Sequence, residues 1–211
     1  MITVIGSLKG GSGKSTLTFN LAVWLRMANV DVKVIDADPQ ATLTDVAEVR
    51  SEEKYEPKIA VQGPNALNGT KLRSSGEVLI DVGTADMDAM KKALSVADRI
   101  VVPVPPSQAD IWSTQRFIQF VKSSVKRSTA PEILGFINRG DTHRAVRESD
   151  EAAAALVTLP GLKFVRPRLA QRTIYRRSFS EGLAVFELEP KGKGAWEVTS
   201  LIAALYPKLV K

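Results

Sequence analysis

Cysteine is absent from the 211-residue chain, and histidine occurs once, at position 143. The first absence excludes a disulfide scaffold, a thiolate zinc site, a cysteine-ligated iron–sulfur cluster and a cysteine nucleophile. A single histidine argues against a His-rich metal site. No apolar run approaches the roughly 20 residues needed to span a bilayer. The residues after Met1, Ile2-Thr3-Val4-Ile5, carry neither the basic n-region nor the cleavage site of a signal peptide, so a cytoplasmic protein is expected. What is present is ordinary for a globular protein: 44% hydrophobic and 25% charged residues, in a length that suits one domain over 1–211 with a sizeable core.

Charge is unevenly placed. Residues 1–105 hold 12 Lys/Arg against 13 Asp/Glu, and residues 106–211 hold 17 against 10, so the net +6 lies wholly in the second half. A polyanionic partner and a solvated basic surface both account for such an excess.

Short runs rich in Val, Ile and Leu alternate with helical stretches. Ile2–Gly6, Val32–Asp36, Glu77–Asp81, Arg99–Val104 and Ile133–Asn138 read as strands, and their continuous apolar character marks strands buried on both faces. Residues 15–28 read as a helix, and Ala195–Tyr206 as a closing helix with Trp196, Val198, Leu201, Ile202 and Leu205 on a core-facing stripe. Alternating β and α elements predict an α/β fold, a doubly wound, mostly parallel sheet with helices on both faces. Residues 50–76, polar and broken by Pro57, Gly63, Pro64, Gly69 and Gly76, read as a surface excursion.

Between the first strand and the first helix lies Lys9-Gly10-Gly11-Ser12-Gly13-Lys14-Ser15-Thr16. Glycines there let successive backbone N–H groups turn inward around phosphate oxygens, and a helix N-terminus adds its positive end. Lys14 is placed to meet the β- and γ-phosphates, and Ser15 to offer its hydroxyl to Mg²⁺. The strict phosphate-loop pattern requires glycine where this chain has Leu8.

The sequence Lys-Gly-Gly-x-Gly-Lys-Ser resembles the deviant Walker A motif of the ParA/MinD family of ATPases. Val34-Ile35-Asp36-Ala37-Asp38-Pro39-Gln40 is similar to that family's D-x-D-P-Q segment, and Val78-Leu79-Ile80-Asp81 to its Walker B strand. Pro103-Val104-Pro105-Pro106-Ser107 with Asp110, and Ile137-Asn138-Arg139, resemble later family segments. One departure is Val82-Gly83-Thr84, where many members have Pro-Pro after Walker B.

The resemblance implies a weak, Mg²⁺-dependent P-loop ATP hydrolase. Lys9 would cross to the nucleotide of a second copy in an ATP-bound homodimer, Lys14 would hold the phosphates, and Asp38 would orient the attacking water. Residues 9–16 and Asn138 would bind ATP, with Asn138 facing the adenine edge; a plain strand-end turn is the alternative for Asn138. Ser15, Asp36 and Asp81 would serve Mg²⁺, with a turn before Pro39 as the alternative for Asp38 and a lysine salt bridge as the alternative for Asp81. Asp81 ends a buried strand, where an unpaired carboxylate is costly and a cation relieves it. His143 is expected to be a surface residue.

Met1 is followed at once by the first strand, the pattern of small ParA-type proteins without an N-terminal DNA-binding extension. These are expected to act in plasmid or chromosome partition: cytoplasmic, nucleoid-associated, binding DNA non-specifically, and stimulated by a centromere-binding ParB-type partner. Related ATPases position other cargo, serve conjugative DNA processing, or act as scaffolds with little turnover. A metabolic phosphotransferase of the same fold is disfavoured by Lys9. A membrane-bound division ATPase is disfavoured because residues 195–206 carry no Lys or Arg, so no membrane partner is expected. Residues 163–177 hold Lys163, Arg166, Arg168, Arg172, Arg176 and Arg177 without an acid. If Ala170–Ser178 is helical, Arg168, Arg172 and Arg176 lie at i, i+4 and i+8, a row of like charges that calls for a counter-charge. DNA phosphates are the expected source, contacted by Arg168, Arg172, Arg176 and Arg177, with Arg139, Arg144 and Arg147 next in line.

Overall fold

The computed structural model describes residues 1–68, 72, 76–126, 128–143 and 147–209; Gly69 and Arg144 lie outside them. Seven strands, β1 (Ile2–Ile5), β2 (Val32–Asp36), β3 (Val61–Gln62), β4 (Glu77–Asp81), β5 (Arg99–Val104), β6 (Glu132–Ile137) and β7 (Lys163–Phe164), form one sheet in the order β3-β2-β4-β1-β5-β6-β7. Every pairing is parallel. The expected doubly wound parallel sheet is therefore the fold. The two-residue strands β3 and β7 are additions: the first sits inside the segment read as an excursion, the second inside the basic segment. Strands this short carry too few residues to show a pattern of their own.

Side chains alternate across the sheet with the strand period of two. Ile2, Val4, Ile35, Val78, Ile80, Ile100 and Val102 face one layer, packed by helices α3 (Met87–Val96), α4 (Gln108–Ser124) and α5 (Glu148–Val157). Ile5, Val34, Leu79, Val101, Leu134 and Phe136 face the other, packed by α1 (Lys14–Met27), α2 (Thr42–Glu52) and α8 (Lys193–Leu205). Both faces are thus apolar, which is why the strands read as unbroken hydrophobic runs. Two short helices, α6 (Thr173–Ser180) and α7 (Val185–Leu188), join β7 to α8.

The closing helix turns one face inward, with Val198, Leu201, Ile202 and Leu205 buried. Trp196 does not join it: two residues before Val198 it falls on the opposite side of the helix, and it is 72% exposed. At the far end of α8, the buried Arg99 at the start of β5 donates to the Leu205 carbonyl (2.6 Å) and to the Thr3 hydroxyl (3.1 Å). A cation there satisfies a helix-terminal carbonyl and complements the helix dipole.

Strand order reverses around β1, whose neighbours β4 and β5 follow it by different crossovers. In open α/β sheets such a switch point opens a crevice beyond the carboxyl ends of the strands. The loop 6–13, the β2–α2 loop and the β4–α3 loop all converge there.

Candidate nucleotide site

The glycine-rich loop has the backbone its composition predicts. Gly11 (φ 69°) and Gly13 (φ 93°) adopt the left-handed region that favours glycine. Gly13 is also the N-cap of α1, and a Cβ on it would lie 2.4 Å from the Asn138 amide nitrogen. A crevice lined by Gly10, Gly11, Gly13, Lys14, Ser15, Thr16, Asp38, Gln40, Thr42, Thr84, Ala85, Arg139 and Phe179 opens over the N-terminus of α1. Free N–H groups and the helix dipole at that position suit a polyanion. Lys14 is buried, with Nζ donating to the Lys9 carbonyl at 3.3 Å. Burial lowers its pKa, while the carboxylates of Asp81 and Asp38 pull it back up. Ser12 faces away from this crevice: its hydroxyl pairs with that of Ser7 at 3.0 Å.

The three aspartates divide their work. Asp36 is committed to the fold: Oδ1 accepts from the Asp38 N–H (3.1 Å), and Oδ2 from the Thr44 N–H and hydroxyl (both 3.0 Å), pinning the β2–α2 loop. Asp38 does two things at once. Its Oδ1 accepts from the Gln40 N–H at 3.0 Å, which is the turn geometry expected before Pro39, and the side chain also lines the phosphate crevice. Asp81 is fully buried, and neither oxygen has a hydrogen bond of ordinary geometry. Burial pushes its pKa up to about 7; the nearby Ser15 hydroxyl and Lys14 ammonium oppose the rise, and Asp36 and Asp38 add to it. An orphaned buried carboxylate beside a serine hydroxyl fits a divalent cation that keeps several waters. Ser15 and Asp81 supply that fit; Asp36, with three donors already bound, serves it at most through a water.

Lys9 points away from its own phosphate crevice. Its Nζ meets Asp110 Oδ1 at 2.8 Å, and the Ser107 hydroxyl holds the other Asp110 oxygen. Asp110 is buried while the Lys9 side chain is 47% exposed. The loop that follows β1 and the segment that follows β5 are therefore in direct contact within one chain.

A second crevice continues from the first through Gly13, Thr16 and Arg139. Leu17, Leu169, Ala170 and Val198 give it apolar walls, and Asn20, Asn138, Gln171, Arg172, Tyr175 and Arg176 its polar groups. An apolar slot joined to a phosphate cradle is the shape a nucleoside needs. Asn138 sits at the junction, but its amide nitrogen donates to the Ser12 carbonyl at 2.6 Å. It braces the phosphate loop with one amide N–H, which leaves its second N–H and its oxygen for a base. Arg139 follows in the left-handed region (φ 56°), which is unusual for a long side chain.

The counter-charge expected from DNA phosphates is supplied within the chain for Arg168, Arg172 and Arg177. The helix begins at Thr173 rather than Ala170, because Ala170 bridges to Gly140 and its N–H donates to Glu197. Arg172 is the N-cap residue and forms a two-pronged pair with Glu197, at 2.9 and 2.7 Å. Arg168 pairs with Asp150 at 2.5 Å, and Arg177 with Glu181 at 2.9 Å. The expected counter-charges are thus carboxylates of the chain itself, two of them from distant sequence. Arg176 has no such partner among the described residues and opens onto the nucleoside crevice.

Sequence reading missed Phe179 in the phosphate crevice and Leu17, Asn20, Leu169, Gln171, Tyr175 and Val198 in the nucleoside crevice. Leu17 and Asn20 follow the loop at helical spacing and were reachable from it. The others lie outside any motif: Leu169, Gln171, Tyr175 and Phe179 reach the site through the chain that follows β7 and through α6, and Val198 reaches it from α8.

Residues 3–185 match the model of the CobQ/CobB/MinD/ParA nucleotide binding domain. The maintenance of carboxysome distribution protein A of Halothiobacillus neapolitanus is 25% identical, over 96% of this chain and 95% of that one. Among solved structures, apo McdA of Cyanothece superposes with a TM-score of 0.77 (20% identity, 97% and 98% coverage). A putative plasmid partition protein of Borrelia burgdorferi B31 bound to AMPPNP gives 0.74 (19% identity, 98% of both chains). With the family model spanning most of the chain and the loop, aspartates and crevice in place, this protein belongs to the CobQ/CobB/MinD/ParA nucleotide-binding family.

Proposed function

We propose that the chain is a ParA-type ATPase that dimerises on ATP and positions a cargo by cycles of weak, Mg²⁺-dependent hydrolysis. The observation that carries the reading is Lys9: it is the family's extra lysine, exposed at the mouth of the loop and turned away from its own phosphate crevice. In the single chain it rests on Asp110, a contact it would give up on reaching the nucleotide of a second copy. The loop N–H groups and Lys14 bind the triphosphate. Asp38, held by the Gln40 N–H at the crevice edge, orients the attacking water, and phosphoryl transfer asks chiefly for such positioning and charge neutralisation. Mg²⁺, held by Ser15 and Asp81, would neutralise phosphate charge. The cargo is a plasmid or chromosome through a ParB-type partner, with non-specific DNA as the matrix. A protein body is the second reading, favoured by the likeness to a carboxysome distribution protein.

Size-exclusion chromatography with light scattering tests the reading. Lys14→Ala should abolish tight ATP binding. Lys9→Ala should bind ATP as a monomer but fail to dimerise, and Asp38→Ala should bind and dimerise without hydrolysis. Normal ATP-dependent dimers of Lys9→Ala would sink the proposal. For DNA, the pairing of the arginines sets the expected salt dependence. Arg172 is engaged by Glu197, so Arg172→Ala with Arg176→Ala should lower the slope of log K against log salt by about one phosphate contact.

A further inference from the structure

The nucleoside crevice is closed on one side by a strip of extended chain, Leu169 to Arg172, and by the first turn of α6 behind it. From the sheet side the strip is tied by backbone bonds: Leu169 N–H to the Ile137 carbonyl, Gly140 N–H to the Leu169 carbonyl, and Gln171 N–H to the Gly140 carbonyl. From the other side a single carboxylate holds it. Glu197, on the inner side of α8 and 9% exposed, accepts four hydrogen bonds. Oε1 takes Arg172 Nε and Nη2 at 2.9 and 2.7 Å; Oε2 takes the Ala170 N–H at 3.1 Å and the Tyr175 hydroxyl at 3.0 Å. A carboxylate has about four acceptor sites, so Glu197 is fully used.

All three of its partners, Ala170, Arg172 and Tyr175, line the nucleoside crevice, and none lines the phosphate crevice. We infer that Glu197 is a positioning residue for the base: it fixes the wall against which a nucleobase rests, and it takes no part in phosphate binding or in the chemistry. The inference rests on reading the crevice as a nucleotide site. Its physical basis is pre-organisation, because a wall already ordered costs nothing to order when the ligand arrives. Charge matters as well as shape. An anion holds an arginine and two neutral donors, and charge-assisted bonds are roughly twice as strong as neutral ones.

Glu197→Gln keeps the volume but replaces an acceptor oxygen by a donor, against four donors that need acceptors. Isothermal titration of the whole chain with ATP and with inorganic tripolyphosphate, both with Mg²⁺, separates base from phosphate. For the wild type, ATP should bind more tightly than tripolyphosphate. In Glu197→Gln, ATP affinity should fall about tenfold, KM for ATP should rise similarly, and kcat and tripolyphosphate affinity should stay within about twofold; tenfold corresponds to about 1.4 kcal/mol. Unchanged ATP affinity overturns the inference. Loss of ATP and tripolyphosphate affinity in parallel also overturns it, since a loosened fold rather than a loosened base wall would then be the cause. If Glu197→Gln does not fold, Tyr175→Phe decides, because it removes one hydroxyl from the edge of the network. About threefold weaker ATP binding is expected with tripolyphosphate unchanged, and wild-type ATP binding overturns the inference. A wild type that binds tripolyphosphate as tightly as ATP overturns the nucleoside reading of the crevice itself, and the inference with it.

Discussion

Two single residues carry constraints that their side chains alone do not reveal. Gly83 has an ordinary backbone, yet a Cβ there would lie 2.4 Å from the Asp38 carboxylate. The space, not the dihedral, favours glycine, since any Cβ there displaces the Asp38 carboxylate. Gly83→Ala should push Asp38 from its place at the crevice, lowering kcat at least tenfold while ATP affinity stays near wild type; steady-state kinetics beside a binding titration checks this. Arg139 is the reverse case, a long side chain held at φ 56° on the rim shared by both crevices. Strain at such a place points to use. Arg139→Gly should raise thermal stability by about 1 kcal/mol, roughly 2–4 °C in Tm at this chain length, and weaken ATP binding at the same time. Opposite signs in calorimetry and titration are the expected signature.

At the scale of elements, the Arg50 side chain joins α2 to the segment that walls the site. Its guanidinium is fully buried and spends all its donors: Nε on the Pro57 carbonyl, Nη1 on the Gly182 carbonyl and Glu187, Nη2 on the Glu56 carbonyl and Glu187. Glu187 in turn accepts from the Ala184 N–H at the start of α7. Arg50→Ala would strand a largely buried carboxylate and three carbonyls, so a loss of about 3–5 kcal/mol is expected by urea unfolding. Arg50 also shows where sequence reading stops. Five of the seven strands, α1 and α8 were legible because burial on both faces or on one stripe writes a period into the chain. The loop and the aspartates were legible because their chemistry needs fixed local spacing. Arg50 meets Glu187 across 137 positions, Arg172 meets Glu197 across 25, and no local pattern announces either. In the row Arg168-Arg172-Arg176 the need for a counter-charge was legible but its source was not, because the carboxylates that meet Arg168 and Arg172 sit on other elements.

For the molecule as a whole, the buried Asp81 sets a pH dependence. Its carboxyl has a pKa near 3.8 in the unfolded chain and about 7 in the folded one. Between those values the folded chain keeps a proton that the unfolded chain has released. The contribution is absent below about pH 4, grows more unfavourable as pH rises, and levels off above about pH 7, by up to about 1.4 kcal/mol per pH unit in between. Urea unfolding of nucleotide-free, metal-free protein should therefore show wild type losing stability relative to Asp81→Asn from pH 5 to 8. A difference that is flat with pH would show that Asp81 stays ionised. The Arg99 contact with Leu205 carries a further consequence. Arg99 begins β5, and Met1 lies beside it at the start of β1, bonded through its amino group to Gly76, so both ends of the described chain lie under the amino ends of the strands. The crevices open at the opposite pole. A fluorophore, tag or surface tether attached near Met1 or beyond Tyr206 would hang from the underside, leaving the nucleotide mouth and the Lys9–Asp110 pair beside it uncovered to whatever approaches from above.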